Sequence, residues 1–437
     1  MEAVSTPTRP QSIFPVLLVN FIGMMGYSIV IPLLVFLIER FSGGEQLGVN
    51  EVLFGVLGAV YPTFQLIGAP LLGKWSDSVG RKRVLLVSQI GTLMAWLLFI
   101  WALLMPTEAL LEVNSPILGS FLLTFPLILL FIARALDGLT GGNVSVANAY
   151  LSDVSTDANR KGNFGKMASS TSLGFIVGPM IASLLGGTEY GELLPVMAAA
   201  GISFVAVLVI QFYLPESLHR PVDPNIEPFK LGKMFQIEHK ECYEMERCPE
   251  ENGFLDILKM KDIPLMYGIY FLTFLGFSFF YSAFPLYAVE SLEWTSAELG
   301  VFFTITSGVM VLFQGPVLTF LSKRVSDAFL VILGSLLIGI SFFLIPISGS
   351  FWVYGAVTIL AAGNGLMWPS YLSILSTKGD SSKQGLIQGY ANSMGSAASI
   401  CGLIVGSLLF KALGSMLFGV AGIMLVLIFV LAFRLRE

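Results

Sequence analysis

Twelve long apolar runs constrain this chain more than anything else in it. They centre near Tyr27, Pro62, Ala95, Gly138, Ile176, Phe204, Phe274, Val309, Leu336, Leu360, Ile400 and Ile423. Each can cross a hydrocarbon core of about 30 Å, which takes about 20 helical residues. Lipid offers no partner to backbone polar groups, so each run must be a helix. Barrel strands would be short and alternating, and these runs are continuous. Only 12% of the 437 residues are charged and 55% are hydrophobic, against about 25% charged in a soluble domain. The expected class is therefore an all-α, multi-pass integral membrane protein seated in a lipid bilayer. Prolines within the runs (Pro32, Pro70, Pro179, Pro285, Pro316, Pro369) are tolerable where neighbouring helices re-satisfy the backbone.

Lys and Arg set the orientation. With the N-terminus inside, the inside segments hold Arg9; Lys74, Arg81, Lys82 and Arg83; Arg160, Lys161 and Lys166; the bases from Arg220 to Lys261; Lys323 and Arg324; Lys378 and Lys383; and Arg434 and Arg436. The outside keeps Arg40 and Lys411, with Glu45, Glu51, Glu108, Glu112, Glu189, Glu192, Glu293 and Glu298. A wrong span count would scramble this segregation, so both termini are expected in the cytoplasm.

The longest polar stretch, Pro215–Asp262, divides the chain into 1–214, a cytoplasmic linker at 215–262, and 263–437. Its end, Gly253–Lys261, has apolar residues at Phe254, Leu255, Ile257 and Leu258, which suits either an amphipathic surface helix or a plain linker. His239, Cys242 and Cys248 lie in this stretch with irregular spacing and no evident fourth ligand. They read as a histidine and free thiols in a loop, not a metal site. Three cysteines, the third being Cys401, make no disulfide framework. The first apolar run is too long for a signal peptide. The sequon at Asn143-Val144-Ser145 falls inside an apolar span and is discounted.

The polar loop Gly73–Arg83 reads GKWSDSVGRKR. Span four carries Arg134-Ala-Leu-Asp137-Gly138-Leu-Thr-Gly141-Gly142-Asn143, and ends at Asp153. Span five carries Gly174-Phe-Ile-Val-Gly178-Pro179 and then Gly186-Gly187. The halves echo one another, with Gly68-Ala-Pro70 matching Gln314-Gly-Pro316 and Lys161-Gly162 matching Lys383-Gln-Gly385. The second copy of the loop has decayed, with Thr319 near the Gly position and Lys323 near the Asp position.

These three motifs, in this order, resemble the major facilitator superfamily of transporters, and within it the drug:proton antiporter and tetracycline-resistance branch. The resemblance implies two pseudo-symmetric six-helix bundles with a substrate site between repeats near the midplane. It places the protein in a plasma membrane, the bacterial inner membrane first. It implies that Gly73, Asp77, Gly80, Arg81 and Asp153 form a conformational latch, with Asp77, Arg81 and Asp153 in one charge cluster. Gly73 would let the second helix approach a neighbour. Lys82 and Arg83 read as topology signals. Gly174, Gly178 and Pro179 match the antiporter-type motif, and the open alternative is a purely structural small-residue interface. One departure matters. Tetracycline-type relatives often carry an Asp in span one, where this chain has Gly23, with Asn20 one turn earlier.

Arg134 and Asp137 are the charged residues placed deep within a span. Charge there costs several kcal/mol unless paired, about 3 on insertion scales, and is functional by default. Three residues apart on one helix, the two can pair. Either Asp137 takes up and releases a coupling proton, with Arg134 tuning it, or the two are a static pair. One buried acid and one buried base leave a nearly neutral cavity, which leans toward neutral, zwitterionic or amphiphilic substrates. The cavity candidates are Asn20, Tyr27, Gln65, Asn143, Asn148, Phe277, Tyr281, Gln314, Asn364, Trp368 and Asn392. About half of them are expected to touch it, since buried amides often serve only as glue between helices.

The expected function is secondary transport of a small molecule by alternating access, as proton-coupled efflux. Alternatives are an uncoupled facilitator, a lipid or sugar transporter, or a non-transporting receptor or scaffold. No cofactor, metal or nucleic acid is expected, and the chain is expected to act as a monomer. No nucleotide-binding Gly-x-x-x-x-Gly-Lys-Ser/Thr loop occurs, and no set of catalytic groups converges within the membrane, so an enzyme is not expected.

Overall fold

The computed structural model describes residues 13–42, 49–115, 119–155, 160–217, 257–347, 349–377 and 384–436. In chain order its helices are α1 (Phe14–Ser42), α2 (Val49–Val79), α3 (Arg81–Leu104), α4 (Phe125–Gly141), α5 (Asn143–Asp153), α6 (Arg160–Gly186) and α7 (Leu193–Tyr213). Then follow α8 (Ile263–Leu292), α9 (Ser296–Leu312), α10 (Leu318–Leu321), α11 (Asp327–Leu344), α12 (Trp352–Thr377), α13 (Gln384–Leu413) and α14 (Met416–Ala432). Helices α4 and α5 together form one span, as do α9 and α10 through a π turn at Phe313–Val317. Every expected span centre falls inside a helix. Among the described residues, eleven spans are long and apolar enough to cross a membrane. The remaining helix, α12, is 26 residues long, and Asn364, Trp368 and Ser370 dilute its apolar character.

Two features depart from the sequence reading. The stretch holding Glu108 and Glu112 contains a two-stranded hairpin, β1 (Ala109–Ser115) and β2 (Gly119–Thr124). It ends on Thr124, whose hydroxyl caps α4 by accepting from Leu127 N and donates to Phe41 O at 2.8 Å. Glu51, assigned above to an outside loop, lies in the first turn of α2 and is buried. The amphipathic helix expected at Gly253–Lys261 lies largely outside the described residues, as do His239, Cys242 and Cys248.

Contacts divide the chain into two compact units. One takes Met1–Gly43, Thr63–Glu112 and Leu122–Pro224, the other Gly44–Pro62, Val113–Phe121 and Asn225–Glu437. The boundary expected at 214 kept all of α2 in the first half, whereas packing assigns its first turns to the second unit. At Gly55 those turns lie close on α13, where a Cβ would fall 2.5 Å from Leu403 O.

The units repeat one packing scheme. In the first, α1 packs on α6, and α3 on α4 and α7. In the second, α8 packs on α13, and α11 on α12 and α14. These are the same pairings six spans later. The leading seam is close in both. A Cβ on Gly174 would lie 2.7 Å from Phe21 O and one on Gly178 2.6 Å from Met25 O, both on α1. On α13, a Cβ on Gly402 would lie 2.5 Å from Ser278 Cβ and one on Gly406 3.0 Å from Phe279 Cδ1, both on α8. Without an oil-versus-water drive between helices in lipid, such close approach is what holds them together.

Candidate functional site

Two clusters in the first unit carry the charge chemistry. The first lies where α2, α3, α5 and the end of α7 meet. Gly80 separates α2 from α3 at φ 103°, a conformation that side chains other than glycine's resist. A Cβ there would also fall 2.9 Å from Glu216 Cδ. Arg81 begins α3, and its Nε donates to Asp153 Oδ2 at 3.1 Å, with the Arg81 side chain only 9% exposed. Its Nη1 donates to Ser76 Oγ. Asp153 Oδ2 also accepts from Ser217 Oγ at 3.0 Å. Lys82, read from sequence as a topology signal, also donates through Nζ to Gln211 O at 2.9 Å.

Glu216 completes the cluster. Its Oε1 accepts from Arg81 N at 2.8 Å and its Oε2 from Lys82 N at 3.2 Å. A carboxylate on the first N–H groups of a helix satisfies orphan donors and complements the helix dipole. Sequence reasoning missed Glu216, Ser217 and Ser76. In the sequence, Leu214-Pro215-Glu216-Ser217 offers one acid just past span six, with nothing to set it apart from other loop acids. Asp77 lies on α2, with its side chain outside the described ones. At Gly73 a Cβ would sit 3.7 Å from Ser145 Oγ, an ordinary contact. The close approach of α2 falls instead at Gly68, whose Cβ would lie 2.8 Å from Leu139 C.

The second cluster is buried between α1, α3 and α4. Arg134 Nη1 and Asp137 Oδ2 are 3.6 Å apart, with side chains 4% and 9% exposed. That distance makes an ion pair rather than a hydrogen bond. Thr92 of α3 hydrogen-bonds Asp137, and Tyr27 of α1 lies within electrostatic reach of Arg134. The Thr92 and Thr140 hydroxyls are 3.3 Å apart. Asp137 thus faces polar groups of α3. One turn on, α4 breaks at Gly142, where a Cβ would lie 2.6 Å from Gly68 C. Gln65 braces the break from α2, donating to Gly141 O at 3.1 Å.

The remaining candidates separate by environment. Asn20 is 4% exposed, and its amide donates to Ser170 Oγ and Thr171 Oγ1, each at 2.7 Å. Its amide donors are thus engaged with α6. Tyr27 packs edge-on against Phe175 at 6.0 Å. Asn143 is buried at the start of α5, and Asn148 is exposed. In the second unit, Tyr281 stacks on Phe303 at 6.1 Å and Gln314 sits in the π turn. Asn364 Nδ2 lies 2.8 Å from Met310 Sδ. Trp368 stacks on Tyr371 at 5.7 Å and meets Tyr270 and Phe274 edge-on. Asn392 Oδ1 accepts from Tyr270 Oη at 2.7 Å. Tyr270, Phe274 and Tyr371 were missed: Phe274 sits in a Phe-rich run that reads as a lipid-facing or packing surface, and single tyrosines inside a span carry no mark of what they touch. Among the described residues, no group of three or more His, Cys, Asp or Glu is placed to hold a metal.

Comparison with known proteins bears on this arrangement. The chain is 27% identical over 406 residues to the class E tetracycline resistance protein of Escherichia coli, covering 92% of this chain and 88% of that protein. It is 24% identical over 411 residues to multidrug resistance protein 2 of Bacillus subtilis (strain 168), covering 92% and 89%. In fold it is similar to the crystal structure of the human organic anion transporter MFSD10 (TETRAN), with TM-score 0.65, 22% identity, and coverage of 98% and 100%. A peptide transporter POT crystallised with sulfate gives TM-score 0.68 at 15% identity, with coverage of 99% and 95%. The model of the Major Facilitator Superfamily matches residues 16–261 and 266–437, so this multi-pass membrane protein belongs to that superfamily.

Proposed function

We propose that this protein is a secondary transporter that exports a small, neutral or amphiphilic molecule in exchange for protons. Superfamily membership makes it a small-molecule transporter rather than an enzyme. The tetracycline and multidrug resistance relatives bring drug-like cargo to the front of the candidate substrates. The observation that carries proton coupling is the pair Arg134–Asp137, 3.6 Å apart and walled off from solvent. A buried carboxylate with one basic neighbour and a hydroxyl donor can exist charged or neutral according to what surrounds it, which a proton carrier requires. The Arg81–Asp153–Glu216 cluster supports a latch that holds one conformation while α2, α3 and α5 are docked. The segregation of Lys and Arg supports both termini lying in the cytoplasm, and the bacterial relatives put the bacterial inner membrane first.

The test is reconstitution into proteoliposomes, with uptake of tetracycline and a panel of amphiphilic drugs, sugars and lipids measured with and without a pH gradient. Drug movement driven by the gradient, and proton movement driven by drug, are expected. Asp137→Asn is expected to uncouple the two. Transport that stays fully gradient-dependent in that variant removes Asp137 from the coupling role.

A further inference from the structure

The second unit holds a group of side chains to which the transport reading above gives no role. Tyr270 of α8, Trp368 of α12 and Asn392 of α13 lie 7, 9 and 8 residues from the helix ends at Ile263, Thr377 and Gln384. At 1.5 Å per residue they share one level, about 10–14 Å along their helices. The rings are held in place. Tyr270 stacks on Phe274 and meets Trp368 edge-on, each at 5.0 Å, and Trp368 stacks on Tyr371 at 5.7 Å. Tyr371 Oη donates to Met266 O at 2.6 Å, and Tyr270 Oη to Asn392 Oδ1 at 2.7 Å. Gly395 lets α13 come up against the rings, since a Cβ there would fall 2.5 Å from Tyr270 Cε1. Rings and amide are therefore fixed before anything binds.

The group is nonetheless open on one side. Tyr270 and Tyr371 are buried, whereas Trp368 and Phe274 are half-buried and Asn392 is exposed. Among the described residues, neither the Asn392 amide Nδ2 nor the Trp368 indole N–H meets a hydrogen-bond acceptor. Gln388 and Ser393, beside Asn392 on α13, are exposed too, and the exposed side turns apolar only from Ala397 onward. Hydrocarbon does not accommodate a polar stripe with unmet donors, so this side faces water or cargo. Charge is remote. The charged residues in α8, α12 and α13 are Glu290 and Lys411, near the far ends of α8 and α13 and about 30 Å along the helices from Tyr270 and Asn392.

We propose that Trp368 and Asn392 form a recognition site for an uncharged, flat ring system with carbonyl or hydroxyl oxygens along its edge. The ring packs against Trp368 and Phe274, and an edge oxygen accepts from Asn392 Nδ2. The indole N–H of Trp368 offers a second donor to such an oxygen. A cation on the same rings would gain cation–π attraction. With no carboxylate near to neutralise it, burying that charge costs more than the attraction supplies. The site names a cargo class for the transport reading and rests on that reading for its purpose, but binding is read without any transport.

Equilibrium binding to the purified full chain in detergent tests this, with binding to empty micelles subtracted. The probe is a tritiated dihydroxyanthraquinone, and anthracene supplies the same ring frame without edge oxygens. The wild type is expected to bind the dihydroxyanthraquinone saturably and anthracene more weakly. Trp368→Ala is expected to weaken both about tenfold, the size of one lost aromatic contact, while Trp368→Phe keeps most of the affinity. Asn392→Asp keeps an oxygen for Tyr270 and removes the amide donor. It is expected to weaken the dihydroxyanthraquinone about three- to tenfold, as one lost hydrogen bond does, and to leave anthracene unchanged. A recess that had merely lost its shape would weaken both probes alike in Asn392→Asp, so equal loss overturns the proposal. So does wild-type affinity for the dihydroxyanthraquinone in Asn392→Asp or in Trp368→Ala. Should Trp368→Ala not fold, Asn392→Asp decides alone. A quaternary ammonium derivative of the same anthraquinone is expected to bind about tenfold more weakly, and equal or tighter binding overturns the uncharged class. Absence of saturable binding to the wild type also overturns the proposal, while gradient-driven drug uptake in proteoliposomes would leave the transport reading standing.

Discussion

The carboxylate of Glu216 accepts the backbone N–H of Arg81 at 2.8 Å, while the side chain of that same Arg81 donates to Asp153 at 3.1 Å. One residue therefore ties three spans together, through its backbone to the end of α7 and through its guanidinium to the end of α5. Removing the Glu216 carboxylate is expected to cost about 1–2 kcal/mol, the usual value of a lost helix cap with a charged acceptor. Glu216→Ala is expected to lower the melting temperature in detergent more than Glu216→Gln, which keeps one acceptor oxygen. Equal melting temperatures for both variants and the wild type would show the cap to be idle.

The Arg81–Asp153 pair is open to a double-mutant cycle. Groups in one hydrogen-bonded network couple by about 0.5–3 kcal/mol. Arg81→Ala and Asp153→Ala are each expected to destabilise the protein, with the double variant losing less than the sum. Strict additivity of the melting-temperature changes would mean that the pair contributes nothing.

Glycine substitutions discriminate seam from surface. Gly178→Ala would push a Cβ against Met25 O at 2.6 Å. Backbone that must move aside costs about 1–3 kcal/mol. Gly73→Ala meets Ser145 Oγ at an ordinary 3.7 Å and gains up to about 1 kcal/mol of helix propensity. Folded yield and melting temperature should fall in the first and hold or rise in the second. The reverse order would contradict the α1–α6 packing.

Arg134→Ala leaves Asp137 without its ion-pair partner. Breaking one side of a buried pair costs about 3–5 kcal/mol. Arg134→Ala is expected to lose most folded protein, and the double variant with Asp137→Asn to recover a substantial part. Failure of the second change to rescue folding would mean that Arg134 is held by groups other than Asp137.

Much of the architecture was legible in the chain because lipid allows so few solutions. Length and apolarity located every span, and the Lys and Arg pattern made twelve of them consistent. The site was legible only in part. Arg134 and Asp137 stand out because charge inside a span is rare. Glu216 does not, since an acid just past a span looks like any loop acid until a helix N-terminus is seen opposite. The partners of Asn20 are hidden for a similar reason: Ser170 and Thr171 come from a helix about 150 residues away in sequence, and hydropathy carries no record of which helices touch. Glu51 looked like an outside loop residue because a polar neighbourhood in sequence hides a buried position in space. The glycine seam of α6 has a counterpart on α13, a pairing of helices that the sequence pattern alone did not reveal.

The break at Gly142 turns span four into two rods sharing a joint. Asp137 rides on one rod and Asp153 on the other, 16 residues apart, or about 24 Å at 1.5 Å per residue. A continuous helix would transmit a displacement along its axis, whereas a jointed one converts it into a swing. The 3.1 Å contact of Asp153 with Arg81 thus lies across the joint from the buried acid. The bearing of that joint is the bare backbone of Gly68 and Ala69, and any side chain added at Gly142 would jam it.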